Sequence, residues 1–367
     1  MKKKKVFVGL SGGVDSSVAA LLLLREGRDV VGVHLRTVNL DGCGEREAED
    51  ARRVAERLDI PFYVWDFEEE YRAEVLHGLV EGYTRGETPN PDVACNRAIK
   101  FGVFLRRALA AGADAVATGH YARLVQSADG VLRIAQSRDA EKDQTYFLWT
   151  LGPAELEHCL FPIGEYTKSE VRVIAREAGL PTAEKKDSQG ICFLGKVKLV
   201  EFLRERIGER QGPVVMRGGE VIGTHRGAEF VTIGQRHFGF APSAEFLKRR
   251  ESREGGAWYI AAKDTGTNTI TVAEGGDNPA LYAARCELRE ARSDDRVRER
   301  AASASGLVCL VRLRYREPLA RATLHLTLDR WLMEFREPHR ATARGQSAVW
   351  YGENGEVLGG GIVDCVA

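Results

Sequence analysis

The chain has no apolar run long enough to cross a bilayer: the longest, from Val18 to Leu24, falls far short of the ~20 residues a membrane helix needs. No secretory leader is predicted, because the stretch after the lysines at positions 2–5 is soon broken by Ser11-Gly12-Gly13 and Asp15. Cysteine lacks any paired pattern. Seven residues, an odd number, are spread over 367, so no disulfide framework is expected and a reducing cytoplasm is. Cys-x-x-Cys, His-x-His and His-Glu-x-x-His are all missing and the eight histidines are scattered, which predicts no resident metal. Net charge is zero, so there is no global electrostatic signature of a nucleic-acid partner. The charge is unevenly placed, however. Asp and Glu dominate 41–81, whereas between Arg285 and Arg344 arginine outnumbers the acids and lysine is absent. Such a segment suits a phosphate backbone, and equally a mixed-charge solvated β surface.

What is there begins with an apolar strand pattern over 6–10 and a helix pattern from Val18 to Arg25. Between them stands Ser11-Gly12-Gly13-Val14-Asp15-Ser16-Ser17. A strand that turns directly into a helix aims N–H groups and a positive helix end at one spot, and glycine lets an anion approach the main chain. The run lacks the Gly-Lys-Ser/Thr ending of a Walker A loop, so γ-phosphoryl transfer is not indicated. Strand patterns over 29–35, 61–67 and 114–118 alternate with helix patterns over 45–58, 68–83 and 96–111. That alternation predicts a parallel sheet with its ligand at the carboxyl ends of the strands. A hairpin around Asp129-Gly130 and helices near 142–151, 167–178 and 198–207 follow. Beyond Gly212 short apolar runs alternate with Gly-rich turns. The expected fold is α/β: an N-terminal doubly wound parallel-sheet domain over 1–210, a small central β-rich domain over 211–276 and a C-terminal β-barrel over 277–367.

Two cysteines stand apart by their company. Cys95 ends Thr88-Pro89-Asn90-Pro91-Asp92-Val93-Ala94-Cys95, a Pro- and Asx-rich turn with a helix expected to start at Asn96. A thiol just ahead of a helix N-terminus is more acidic and more nucleophilic, and Asp92 is a candidate acid/base beside it. Cys192 lies in Lys185-Lys186-Asp187-Ser188-Gln189-Gly190-Ile191-Cys192-Phe193, a polar loop with two ammonium groups. Cys159, Cys286, Cys309 and Cys365 read as small buried hydrophobes. Cys43, in a Gly-rich acidic loop, stays open.

Taken together, these residues resemble the bacterial tRNA-specific 2-thiouridylase (MnmA/TrmU) family, within the PP-loop ATP pyrophosphatases. The resemblance rests on Gly9 to Ser17, Thr88 to Asp92 with Cys95-Asn96, Ala117-Thr118-Gly119-His120-Tyr121 and Lys142-Asp143-Gln144-Thr145-Tyr146-Phe147. It continues through Gly190-Ile191-Cys192-Phe193, Ile233-Gly234-Gln235-Arg236, Arg314-Tyr315-Arg316 and Gly345-Gln346-Ser347. The resemblance implies ATP-dependent replacement of the C2 oxygen of a wobble uridine by sulfur, in tRNAs of the Lys, Glu and Gln type. It implies that Gly9, Leu10, Ser11, Gly12, Gly13, Val14, Asp15, Ser16, Leu35 and Gly119 hold ATP, with Mg²⁺ arriving on the nucleotide. Cys192 would carry a persulfide supplied by a cysteine desulfurase or relay protein, and Cys95 would be the second thiol, the two forming a transient disulfide. Asn90, Pro91 and Asp92 would meet the target base, while His120, Lys142, Asp143, Gln144, Arg314, Tyr315 and Gln346 would contact tRNA. Four residues in three places depart from the family pattern: Leu35 for a frequent Met, Glu317 for a common Gln, and His237-Phe238 for a basic residue and Gly. A carboxylate at 317 is expected to repel phosphate. Another PP-loop enzyme, a 4-thiouridine synthase or an amide-forming synthetase, is the alternative.

Overall fold

The computed structural model describes residues 3–38, 42, 44–127, 129–186, 198–250, 256–328 and 330–367. Cys43 and Cys192 thus lie outside the described residues. Apolar strands β1 (Lys5–Gly9), β2 (Asp29–Arg36), β3 (Phe62–Asp66) and β4 (Ala115–Ala117) alternate with helices, among them α1 (Val14–Arg25) and α2 (Gly44–Leu58). Strands β5 (Ala122–Gln126) and β6 (Leu132–Gln136) form a separate hairpin, and β7 (Cys159–Leu160) returns to the main sheet. All neighbours in that sheet are parallel, in the order β3-β2-β1-β4-β7. Val6 and Val8 on the central strand are fully buried. The winding reverses between β1 and β4, so a crevice opens beyond their carboxyl ends, where ligands of such sheets bind.

The central unit is a second five-stranded sheet, β8 (Gly212–Met216), β9 (Val221–His225), β10 (Ala241–Pro242), β11 (Trp258–Asp264) and β12 (Thr269–Glu274), with a core of its own. Six strands then close into a barrel: β13 (Tyr282–Ser293), β14 (Leu307–Arg312), β15 (Ala320–Thr327), β16 (Arg330–Arg340), β17 (Ser347–Tyr351) and β18 (Val357–Val366). Trp331 and Trp350 stack inside it, ring centroids 5.6 Å apart. Among the described residues no helix is long and apolar enough to cross a membrane.

Two expected elements differ. The helix expected at Asn96 already starts at Pro91, because the Asn90 side chain accepts from Asp92 N (3.0 Å) and Val93 N (3.3 Å) and proline fills the first helical position. It runs on through wide π-type turns, Asn96–Phe104, into Leu105–Ala110. Over 142–151 there is only a short turn of helix, Thr145–Phe147. Asp143 holds its own turn by accepting from Ser137 N, Thr145 N and Thr145 Oγ1, which competes with helix formation.

Candidate active site

Beyond β1 the chain turns through Leu10–Gly13 into α1. Gly13 is the N-cap, in an extended conformation and with no side-chain cap, so the first-turn N–H groups of α1 are available to an anion. Gly12 has φ +70°, and a Cβ there would run into the Glu47 carbonyl oxygen, so the position admits only glycine. Three hydroxyl contacts fix the loop from within. Ser16 Oγ accepts from Ser11 N (3.2 Å) and donates to Gly13 O (3.2 Å), and Ser17 Oγ donates to Gly13 O (2.8 Å). The turn after β4 closes on the same spot: a Cβ at Gly119 would sit 2.5 Å from Ser16 N. His34, buried under the loop, has its pKa pushed down by burial and by the charges of Arg36 and Lys185. Its Nδ1 lies 3.0 Å from Leu10 O, which only a ring N–H can satisfy. Leu35 is half-buried near the end of β2, its Cδ1 3.5 Å from where a Cβ on Gly9 would sit.

Two ammonium groups border this cradle. Lys168 Nζ lies 2.8 Å from both carboxylate oxygens of Asp15, whose Oδ1 also accepts from Tyr121 OH at 2.9 Å. Lys185 Nζ donates to Gly12 O (2.9 Å) and to Asp50 Oδ2 (2.6 Å). Sequence reasoning missed Lys168. No local signal marks it, since it opens a helix, Lys168–Glu177, capped by Thr167 and Glu170, that only the fold brings back to Asp15. An anion in the loop therefore meets a helix N-terminus and two cations. This fits the phosphates of a nucleotide. Among the described residues no cluster of three His, Cys, Asp or Glu is placed to hold a metal.

The second half of the site is the helix beginning at Pro91. Cys95 is half-buried and is the fifth residue of that helix. The expectation of a thiol just ahead of a helix N-terminus is corrected, and with it the dipole argument, whose effect fades beyond the first turn. Asp92 is half-buried; burial pushes its carboxyl pKa up, and the charge of Lys100, further along the same helical stretch, pulls it down. Lys100 Nζ is 3.3 Å from His120 Nε2, and His120 Nδ1 is 2.7 Å from Thr118 Oγ1. An ammonium only donates, so Nε2 accepts and the ring proton sits on Nδ1. Burial, then the Lys100 charge, holds the pKa of His120 well below its ordinary value. The ring packs with Phe101 and Phe161 in a cluster of three, centroids 5.9–6.3 Å apart. His120, expected on the tRNA side, is buried and links the turn after β4 to the helix that carries Asp92 and Cys95.

The other residues expected on the RNA side converge, largely by bonding one another across domain borders. Asp143 is fully buried and pairs with Arg312 Nη1 of the barrel at 2.9 Å. It is a joint between hairpin and barrel, not an exposed contact. Gln144 Oε1 accepts from Tyr121 N at 2.9 Å, and Lys142 is half-exposed next to it. Gln346 Nε2 donates to Thr88 O (3.0 Å), Thr88 N donates to Arg344 O (2.7 Å), and Thr88 Oγ1 meets Thr232 Oγ1 of the central unit (3.2 Å). Asn90 spends its side chain on the helix cap, and Pro91 is buried. Arg314 is half-buried; its Nη2 donates to Ile233 O (3.0 Å) and Ala341 O (2.6 Å), and burial lowers its pKa. Tyr315 packs on Phe147, centroids 4.5 Å apart, whose carbonyl receives Asn96 Nδ2. Glu317 turns inward, Oε1 3.4 Å from His339 Nε2, so the expected repulsion of phosphate is corrected. Of the remaining cysteines, Cys159, Cys286 and Cys309 are buried with thiol pKa pushed up to about 12 by burial. Cys365 is exposed, contrary to expectation.

With this geometry in hand, family models match along the chain: a tRNA methyl transferase HUP domain over residues 4–196, a PRC-barrel domain over 200–274 and an aminomethyltransferase beta-barrel domain over 296–363. A tRNA-specific 2-thiouridylase MnmA 1 of Geobacillus kaustophilus is 42% identical over 373 residues, covering 99% of this chain and 96% of its own. The chain belongs to the tRNA-specific 2-thiouridylase family. Another member, from Flavobacterium johnsoniae, is 38% identical and covers 98% of this chain and 100% of its own. Among solved structures, a 4-thiouridine synthetase–RNA complex with bound ATP covers 55% of this chain and 50% of its own at 20% identity and a TM-score of 0.34. That likeness adds nothing to the family assignment.

Proposed function

We propose that the protein replaces the C2 oxygen of the wobble uridine in tRNA with sulfur, driven by ATP. The observation that supports this best is the pair Gly119-His120: one residue packs on Ser16 of the nucleotide cradle, and the other meets Lys100 of the helix bearing Asp92 and Cys95. Nucleotide and thiol chemistry therefore share one crevice, beside a segment, Thr88 to Asp92, on which both β domains converge.

In this reading Gly9 to Ser16 hold the ATP phosphates, with Mg²⁺ arriving on the nucleotide, and Leu35 and Gly119 border it. Lys168 and Lys185 offset the phosphate charge. The uracil C2 oxygen attacks the α-phosphorus; an O–P bond forms, the α–β bridge breaks and pyrophosphate leaves. The terminal sulfur of a Cys192 persulfide, assigned from its motif, then bonds to C2, and AMP departs with the old oxygen. Cys95 thiolate attacks Cys192 Sγ, the persulfide S–S bond breaks, and its electron pair stays on the sulfur now attached to C2. The two cysteines are left as a disulfide, oxidised by two electrons, and an external thiol returns them to the reduced state. The terminal persulfide sulfur gives up its proton as it bonds to C2, and Asp92, with its raised pKa, is suited to accept it. A cysteine desulfurase or relay protein supplies the persulfide, in the cytoplasm. We take the catalytic, central and barrel units as 1–210, 211–276 and 277–367.

Reconstitution with unmodified tRNA, Mg-ATP and a persulfide source, followed by nucleoside mass analysis, tests the proposal. 2-Thiouridine from the wild type and none from Cys192→Ser is expected. AMP release without any thiolated base points to a different PP-loop acceptor, and full activity of Cys192→Ser overturns the carrier assignment.

A further inference from the structure

His237-Phe238 stands where the family pattern has a basic residue and glycine, and the sulfur chemistry gives the pair no role. In the structure both residues line a cavity of about 250 Å³ between helix Leu199–Ile207 and the central unit. Its walls also include Arg204, Arg226, Phe230 and Gln235, and no acidic side chain lines it among the described residues. The loop that carries the pair is held in place. Gln235 Oε1 accepts from Thr232 N (3.0 Å), Gln235 Nε2 donates to His237 O (2.8 Å), and Gly234 N donates to Ile260 O (2.7 Å). Phe238 stacks on Phe240, centroids 5.2 Å and planes 12° apart, so its ring is backed by a neighbour. Glu209 lies at the border, Oε1 2.8 Å from Arg204 Nε and 4.0 Å from Arg226 Nη1. A carboxylate thus already occupies the place between two guanidiniums that an RNA phosphodiester would contest.

The same loop reaches the active site on two sides, through Thr232 to Thr88 and through the Ile233 carbonyl to Arg314. Through Thr88 this loop is joined to the segment that runs on to Asp92. Aromatic rings beside guanidiniums and an amide are the chemistry by which proteins hold unpaired RNA nucleotides. We propose that the cavity is a subsite for one unpaired nucleotide of the tRNA substrate, with its base against Phe238 and its phosphate between Arg204 and Arg226. The inference rests on the tRNA reading above.

The test is anisotropy titration of an unmodified tRNA transcript at several salt concentrations. Phe238→Ala weakens binding about tenfold, and Phe238→Leu, which keeps most of the packing volume, weakens it in the same sense. Arg226→Ala, at a side chain 71% exposed and so not needed for folding, weakens binding and lowers the salt slope by about 1. Glu209→Gln tightens binding at low salt by removing the competing carboxylate. Wild-type-like binding and slope in all four variants overturns the subsite while leaving the function intact. Weaker binding by Glu209→Gln also overturns it, because the glutamate is then a brace for the site. A wild type that binds no tRNA overturns both the subsite and the function beneath it.

Discussion

The turn from β1 into α1, proposed as the nucleotide cradle, and the wall around Thr88 and Asp143 are built in opposite ways. In the cradle, Ser11, Gly13, Ser16 and Ser17 bond one another within a single turn, and both glycine requirements follow from backbone contacts. In the wall, Thr88 is held by Arg344 and Gln346 of the barrel and Thr232 of the central unit, and Asp143 by Arg312 of the barrel. A backbone device can be completed locally, so its shape is legible in the motif. A wall made where three units meet needs polar joints, and many of its motif side chains bond one another across the borders.

The contrast can be broken by substitution, and the largest effect is expected at the joint. Asp143→Asn leaves Arg312 buried without its counter-charge and costs about 3–5 kcal/mol; the urea midpoint falls and thiolation falls with it. An unchanged midpoint would mean that Asp143 is no joint at all. Lys168→Met is expected to do the converse, lowering pyrophosphate release about 10²–10³-fold, as for loss of one preorganised group facing developing charge, with tRNA affinity kept. Equal losses in both would erase the distinction between the two regions. Gln346→Ala removes the bond to Thr88 O and is worth about 1 kcal/mol, read as a small rise in KM for tRNA.

The smallest effect is that of pH. Burial lowers the pKa of His34, His120 and His225. A lowered histidine contributes stability that is fully present above the unfolded value of about 6.5 and is lost as pH falls toward the folded value. The denaturation midpoint should therefore drop on acidification from pH 7, and His120→Gln should flatten the dependence. Asp92, raised by burial, works in the opposite sense, one carboxyl against three rings. A midpoint that rises on acidification contradicts this assignment.

The parallel sheet was legible because its strands are continuous apolar runs between helix patterns, and the barrel because its strands recur without helices. β7, two residues long, and the turn at Thr145 were not, since they are set by Cys159–Leu160 pairing with β4 and by the Asp143 side chain. Cys95 was singled out by its turn-forming neighbours, but the helix start there was misplaced: Asn90 and Pro91, read as turn residues, are a cap and a first helical position. Lys168 and the inward turn of Glu317 depend on contacts distant in sequence, which no local pattern records.

One measurement bears most directly on a crevice in which nucleotide and thiol chemistry adjoin but are separable steps. Persulfide-loaded wild type and Cys95→Ser are mixed with unmodified tRNA and Mg-ATP in a single turnover, and pyrophosphate and 2-thiouridine are followed together. The account predicts wild-type pyrophosphate formation from Cys95→Ser with no free 2-thiouridine, the sulfur remaining joined to Cys192. Full thiolation by Cys95→Ser, or loss of pyrophosphate together with the base product, would contradict it.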